Sequence, residues 1–91
     1  MTMNKLSEKY DRVVTFVSVH QAMRAEKALQ IAGLEFLVVP TPRAISISCG
    51  QCMFFLVRDE STVVQILKNN KIIYNKIFVR DSTENKYEEI V

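Results

Sequence analysis

Val13-Val14-Thr15-Phe16-Val17-Ser18 is the stretch whose reading decides the fold. It is β-branched and aromatic, and apolar on both faces. A strand with one wet face would alternate, so this one is an interior strand covered by helices on at least one side. Gln51-Cys52-Met53-Phe54-Phe55-Leu56-Val57, the most apolar run of the chain, reads the same way as a second central strand.

Working outward, Ser18 stands three residues before Gln21, the capping-box spacing that opens a helix. That helix runs to residue 32, with Ala22, Ala25, Leu29 and Ala32 as its core stripe and Arg24, Glu26, Lys27 and Gln30 on solvated flanks. Gly33 is its left-handed stop. Glu35-Phe36-Leu37-Val38-Val39 is a further strand, limited by Pro40. Asp59 or Ser61 caps a second helix carrying Val63, Val64, Ile66 and Leu67, which ends in Lys68-Asn69-Asn70-Lys71. Asn75-Lys76-Ile77-Phe78-Val79-Arg80 is the last strand. Residues 1–11 are a polar lead-in, 12–80 a single domain, and 81–91 a charged tail expected to be short helix or disordered.

The order βαββαβ predicts an α+β fold, the ferredoxin-like plait. Its antiparallel sheet has strand order 4-1-3-2 and both helices on one face. The first and third strands, central in that order, are the two runs apolar on both faces. The first and second strands then run parallel, with the third between them. The end of the first strand, the start of the first helix and the 41–50 loop therefore share one end of the sheet. That places Cys49, Ser18 and His20 together.

The composition bounds what such a domain does. Its 91 residues suffice for one domain, and a hydrophobic content of 48% supports one modest core. Twelve basic against ten acidic side chains leave +2, too little to argue for nucleic acid or an anionic membrane surface. No apolar run approaches the roughly 20 residues of a membrane span. The polar first ten residues carry no apolar secretion core, and two cysteines three positions apart do not staple a fold. A reducing cytoplasm is expected. No nucleotide-binding, P-loop, zincin or nucleophile-elbow motif occurs, and no cofactor is implied.

The chemistry concentrates in Thr41-Pro42-Arg43-Ala44-Ile45-Ser46-Ile47-Ser48-Cys49-Gly50. A thiolate is the reactive form of cysteine, and its ordinary pKa of about 8.5 falls near helix N-termini and cations. The amides opening the first helix, a protonated His20 and Arg43 would supply that field to Cys49. Gly50 lets the backbone bend beside the thiol, and Ser46 and Ser48 can donate hydrogen bonds. A plainer reading stays open, because unpaired cysteine is among the most buried residue types and Cys49 heads a strand. His20 is equally an exposed turn residue, and Arg43 a solvated loop residue. Cys49 and Cys52 have CxxC spacing, but a redox dithiol of the thioredoxin type opens a helix, and here a strand follows. Zinc needs four ligands, and with one histidine the site would be shared between subunits. Cys52 reads as a core-facing strand residue or, if it faces the loop, as a resolving thiol.

Three segments carry a resemblance: Phe16-Val17-Ser18-Val19-His20-Gln21-Ala22, Ala25-Glu26-Lys27-Ala28-Leu29 with Gly33, and Pro40-Thr41-Pro42-Arg43-Ala44-Ile45-Ser46-Ile47-Ser48-Cys49-Gly50. They resemble the small bacterial domain described as a putative sulfur/selenium carrier-like protein family, over most of residues 12–80. The resemblance implies handling of reactive sulfur or selenium, alongside cysteine desulfurases and selenium-metabolism proteins. It puts the carrier thiol on Cys49, with Gly50, Arg43, Ser48 and His20 matching the surrounding pattern. Cys52 departs from that pattern, which has an apolar or small residue there, and residues past 80 have no counterpart. The expectation is a non-enzymatic carrier that receives sulfur as a persulfide, with a desulfurase as partner. The alternatives are a Cys49/Cys52 redox dithiol or a regulatory module. That module would bind a small ligand at the same loop, or form a homodimer through edge strands at 35–39 and 75–80.

Overall fold

The computed structural model describes residues 10–43, 45, 50–81 and 86–90. β1 (Arg12–Phe16) leads through Val17 and Ser18 into α1 (Val19–Ala32). β2 (Phe36–Pro40) and β3 (Gln51–Phe55) follow, then a 3-10 turn (Val57–Asp59), α2 (Glu60–Asn69), β4 (Ile77–Asp81) and β5 (Lys86–Glu89).

All pairings are antiparallel, and the sheet order is β2-β3-β1-β4-β5. β1 and β3 are interior, as their composition requires. Val13, Val14, Thr15 and Phe16 are fully buried, as are Cys52, Met53 and Phe55, with Phe54 nearly so. Alternation divides them cleanly. Val14, Phe16, Met53, Phe55 and Ile77 pack with Ala22, Ala25 and Leu29 of α1 and Val63 and Leu67 of α2. Both helices therefore cover one face. The opposite face carries Val13, Cys52 and Phe54, which pack among the described residues with Tyr10, Leu37, Val39, Ile45, Phe78 and Tyr87.

The expected four-stranded sheet of order 4-1-3-2 is corrected to five strands. The charged tail, expected to be short helix or disordered, supplies β5, which pairs along the outer side of β4 from Phe78↔Glu89 to Asp81↔Lys86. Tyr87 packs edge-on to Phe54, with ring centroids 6.5 Å apart, and Lys76 Nζ meets Glu89 Oε1 at 3.2 Å. One inward aromatic in a charged run suffices for an edge strand, and Glu88 and Glu89 are exposed. The edge strand expected at 75–80 is thereby covered, and among the described residues the outer strands of the sheet are β2 and β5.

β4 starts later than expected. Residues 75 and 76 still run beside β1, where Thr15 O accepts from Asn75 N–H at 2.7 Å and Lys76 O accepts from Thr15 N–H at 2.9 Å. The Thr15 hydroxyl accepts from Lys76 N–H at 3.2 Å, so this buried polar side chain is satisfied. At the other end of β1, Arg12 Nε donates to Glu60 Oε1 at 2.9 Å, tying the strand to the first residue of α2. Asp59 occupies the N-cap position of α2 without making a side-chain cap bond, and Ser61 lies inside the helix. α1 ends on Gly33 at φ 76°, ψ 21°, the left-handed stop its sequence predicts. Ala32, placed in the core stripe by periodicity, is exposed at that last turn.

Candidate functional site: the end of the sheet at the opening of helix α1

The site is built where β1 stops. Ser18 keeps extended backbone angles (φ −99°, ψ 130°), and its hydroxyl accepts from His20 N–H at 3.1 Å. This caps the helix and satisfies one of the amides left unpaired at any helix start. The reciprocal half of the capping box does not form. Gln21 Oε1 is taken by Ile73 N–H at 3.0 Å and by Arg24 Nη1 at 3.3 Å. The approach of the 70–75 segment outcompetes the local cap. Val17 and Val19, on either side of Ser18, are exposed, as is His20.

The foot of the 41–50 loop reaches this same end. Thr41 N–H donates to Gly50 O at 3.3 Å, one step beyond the Pro40↔Gln51 pair, so the β2–β3 ladder continues into the loop. A turn follows in which Ile45 N–H donates to Pro42 O at 3.0 Å. Arg43 is exposed in that turn. A Cβ placed on Gly50 would lie 3.8 Å from the Val17 carbonyl oxygen and 4.0 Å from Val19 Cγ2. The antiparallel pairing of β3 with both β1 and β2 makes this juxtaposition, because it brings the end of β1 beside the start of β3. The expected meeting of loop foot and helix start therefore holds at Gly50, Val17 and Val19. Gly50 does not need glycine's special backbone freedom, since its φ is outside the left-handed region. A Cβ would make only ordinary contacts there, so neither backbone freedom nor low bulk requires glycine at this position.

Cys49, Ser46 and Ser48 lie outside the described residues. Cys52 is fully buried on the sheet face opposite α1 and α2, paired in register with Thr15 of β1 and Val39 of β2. Among the described residues, no group of three or more histidine, cysteine or acidic side chains could hold a metal ion. No described helix is long and apolar enough to cross a membrane.

One residue escaped the sequence reading. Thr41 Oγ1 is buried and, among the described residues, has no hydrogen-bond partner. A buried hydroxyl without a partner costs on the order of 1–3 kcal/mol, so it marks a donor available at the foot of the loop. Its position after Pro40, opposite a residue of the Cys-Gly pair, is a signal that only the strand register makes legible.

The family model described as "Putative Se/S carrier protein-like" matches residues 11–79. No curated protein matches the chain, and no solved structure does. The match spans the sheet from β1 into β4 and both helices, and the chain belongs to this family.

Proposed function

We propose, with membership of this family as the premise, that the chain carries sulfur or selenium on the thiol of Cys49. The fold reading that accompanies it is a ferredoxin-like plait extended by β5, supported by the neighbours β4-β1-β3-β2 within the sheet. The observation that carries the proposal is the seat of Gly50 against Val17 and Val19, at the amide-rich start of α1. A peptide bond joins Cys49 to Gly50, so the thiol is tethered to that end. Helix N-terminal amides favour a thiolate. Arg43 is exposed in the loop and His20 at the helix start, and the Arg43 guanidinium can add positive charge when a charged sulfur arrives.

The step is an exchange. The Cys49 thiolate attacks the terminal sulfur of a donor persulfide, the donor S–S bond breaks, and a new S–S bond forms on Cys49. The donor leaves as a thiolate, and the sulfane sulfur changes owner without net oxidation or reduction. Passing it on repeats the step with an acceptor thiolate. A selenopersulfide moves in the same way. Thr41 Oγ1 and the loop serines can donate to the sulfur being held. A cysteine desulfurase is the donor class this reading names, in a reducing cytoplasm, and the protein is a carrier rather than an enzyme. The burial of Cys52 weighs against the redox-dithiol alternative and against a resolving role, since exchange requires access.

The test is loading by a cysteine desulfurase and free cysteine, read by intact-protein mass spectrometry. Cys49→Ser is expected to lose the added sulfur, while Cys52→Ala keeps it. Equal loading of Cys49→Ser and the parent chain would end the proposal. Alkylation of Cys49 against pH supplies a second measure, with a midpoint expected below the ordinary thiol value of about 8.5.

A second reading, a non-catalytic interaction module, is favoured by β2, which among the described residues is an outer strand and whose residues 36–39 are half-buried and apolar. Two copies pairing along β2 would form a continuous sheet. Sedimentation showing one monomeric species over a wide concentration range would refute that dimer.

A further inference from the structure

The solvent side of α1 is not composed like a solvated face. At 100° per residue, Val19, Met23, Lys27 and Ile31 form one outer stripe. Val19, Met23 and Ile31 are 53%, 62% and 79% exposed. Arg24 borders the stripe on one flank, while the helix's single carboxylate, Glu26, is half-buried on the other.

Along the Arg24 side runs the 70–75 segment, tied to the helix at two points. Arg24 Nη2 donates to Asn70 O at 2.7 Å, and Ile73 N–H donates to Gln21 Oε1 at 3.0 Å. Around these ties the surfaces stay open. A hollow of about 210 Å³ lies against Arg24, Lys27, Ala28 and Ile31 on the helix and Asn70 and Ile72 opposite. A second, of about 290 Å³, lies against Val17, Ser18, Gln21 and the 73–75 stretch. The two hollows flank these ties and together make a broken groove along the helix from Ser18 to Ile31, about 20 Å at 1.5 Å per residue. Its charge is unbalanced. Among the described residues, Arg24, Lys27 and Lys71 pair with no carboxylate, and Arg24 is held by neutral oxygens alone.

We infer that this groove receives an acidic segment of a partner protein, with its apolar side chains in the two hollows and its carboxylates at Arg24, Lys27 and Lys71. Cations that pair with no carboxylate among the described residues, next to exposed aliphatic side chains, call for a ligand with both carboxylates and apolar groups. A phosphate backbone offers no apolar counter-surface, and a bilayer is flat where this surface is concave. Val17, which lines the second hollow, also abuts Gly50. A segment seated here leads to the loop end. The assignment of the partner to sulfur delivery rests on the carrier reading; the binding itself does not.

The test is titration of the isotope-labelled chain with a synthetic amphipathic Glu/Leu peptide of about 14 residues, long enough as a helix to span the groove. Saturable amide shifts confined to residues 17–31 and 70–75 are expected, together with no binding of the same peptide bearing Lys in place of Glu. Lys27→Glu with Ile31→Ser keeps both ties of the 70–75 segment and should weaken binding about tenfold, with a dispersed spectrum retained. Scattered or absent shifts, equal binding of the Lys peptide, or unchanged affinity of the double variant would overturn the inference. So would tighter binding at the same amides by single-stranded RNA or phosphatidylserine vesicles. Loading without peptide binding would sink the groove alone, and peptide binding without loading the carrier alone.

Discussion

Replacing each of the two glycines by alanine separates backbone strain from bulk beside the loop. Gly33 has φ 76°, and a Cβ there would meet nothing within 4 Å. The cost of Gly33→Ala is therefore conformational, about 1 kcal/mol for placing an L side chain in the left-handed region. In a domain of this size that lowers Tm by about 4–8 °C. Gly50 differs on both counts: its φ is ordinary, and the added Cβ falls at 3.8 and 4.0 Å from its neighbours, normal van der Waals contact. Gly50→Ala should be neutral to within about 0.5 kcal/mol, since alanine's smaller unfolded-state entropy offsets any small crowding. Scanning calorimetry and urea titration measure both. A Gly50→Ala loss equal to that of Gly33→Ala would refute the seating of Gly50, and a costless Gly33→Ala would refute the left-handed helix end. With stability unchanged, any fall in sulfur loading of Gly50→Ala reports on the loop itself.

Three further outcomes are expected. Ser18→Ala removes the bond to His20 N–H and should cost about 1 kcal/mol in urea unfolding, with Ser18→Asn restoring most of it. Tyr87→Ala removes the edge-on contact with Phe54 and should cost about 2 kcal/mol, with loss of hydrogen-exchange protection in β5 before β1. For the part-buried Arg12–Glu60 pair at 2.9 Å, a double-mutant cycle to alanine should give a coupling of about 1 kcal/mol, and additive single effects would dismiss the tie between β1 and α2.

The candidate site was legible in part. Ser18 as helix cap, and the meeting of helix start with loop foot, follow from strand order and one capping residue. Thr41 was not legible, because the burial of a hydroxyl with no partner among the described residues is a property of its surroundings. The bond expected between Gln21 and the helix start was misread for a related reason. A side-chain amide takes the better-placed donor, and Ile73 N–H arrives from 52 residues away.

What the sequence determined by itself is local. Apolar residues on both faces make Val13–Phe16 and Cys52–Phe55 interior strands in any arrangement that buries them, and Gly33 ends α1 because its backbone tolerates positive φ. What tertiary structure decided is pairing. Lys86–Glu89 is a strand because β4 offers an unpaired edge and Phe54 offers Tyr87 a ring. The burial of Cys52 on the face opposite α1 and α2, and the hollows beside α1, likewise depend on which distant segment arrives. Long-range partners carry no periodic signature in the residues they pair with, so these features are readable only once the chain has folded.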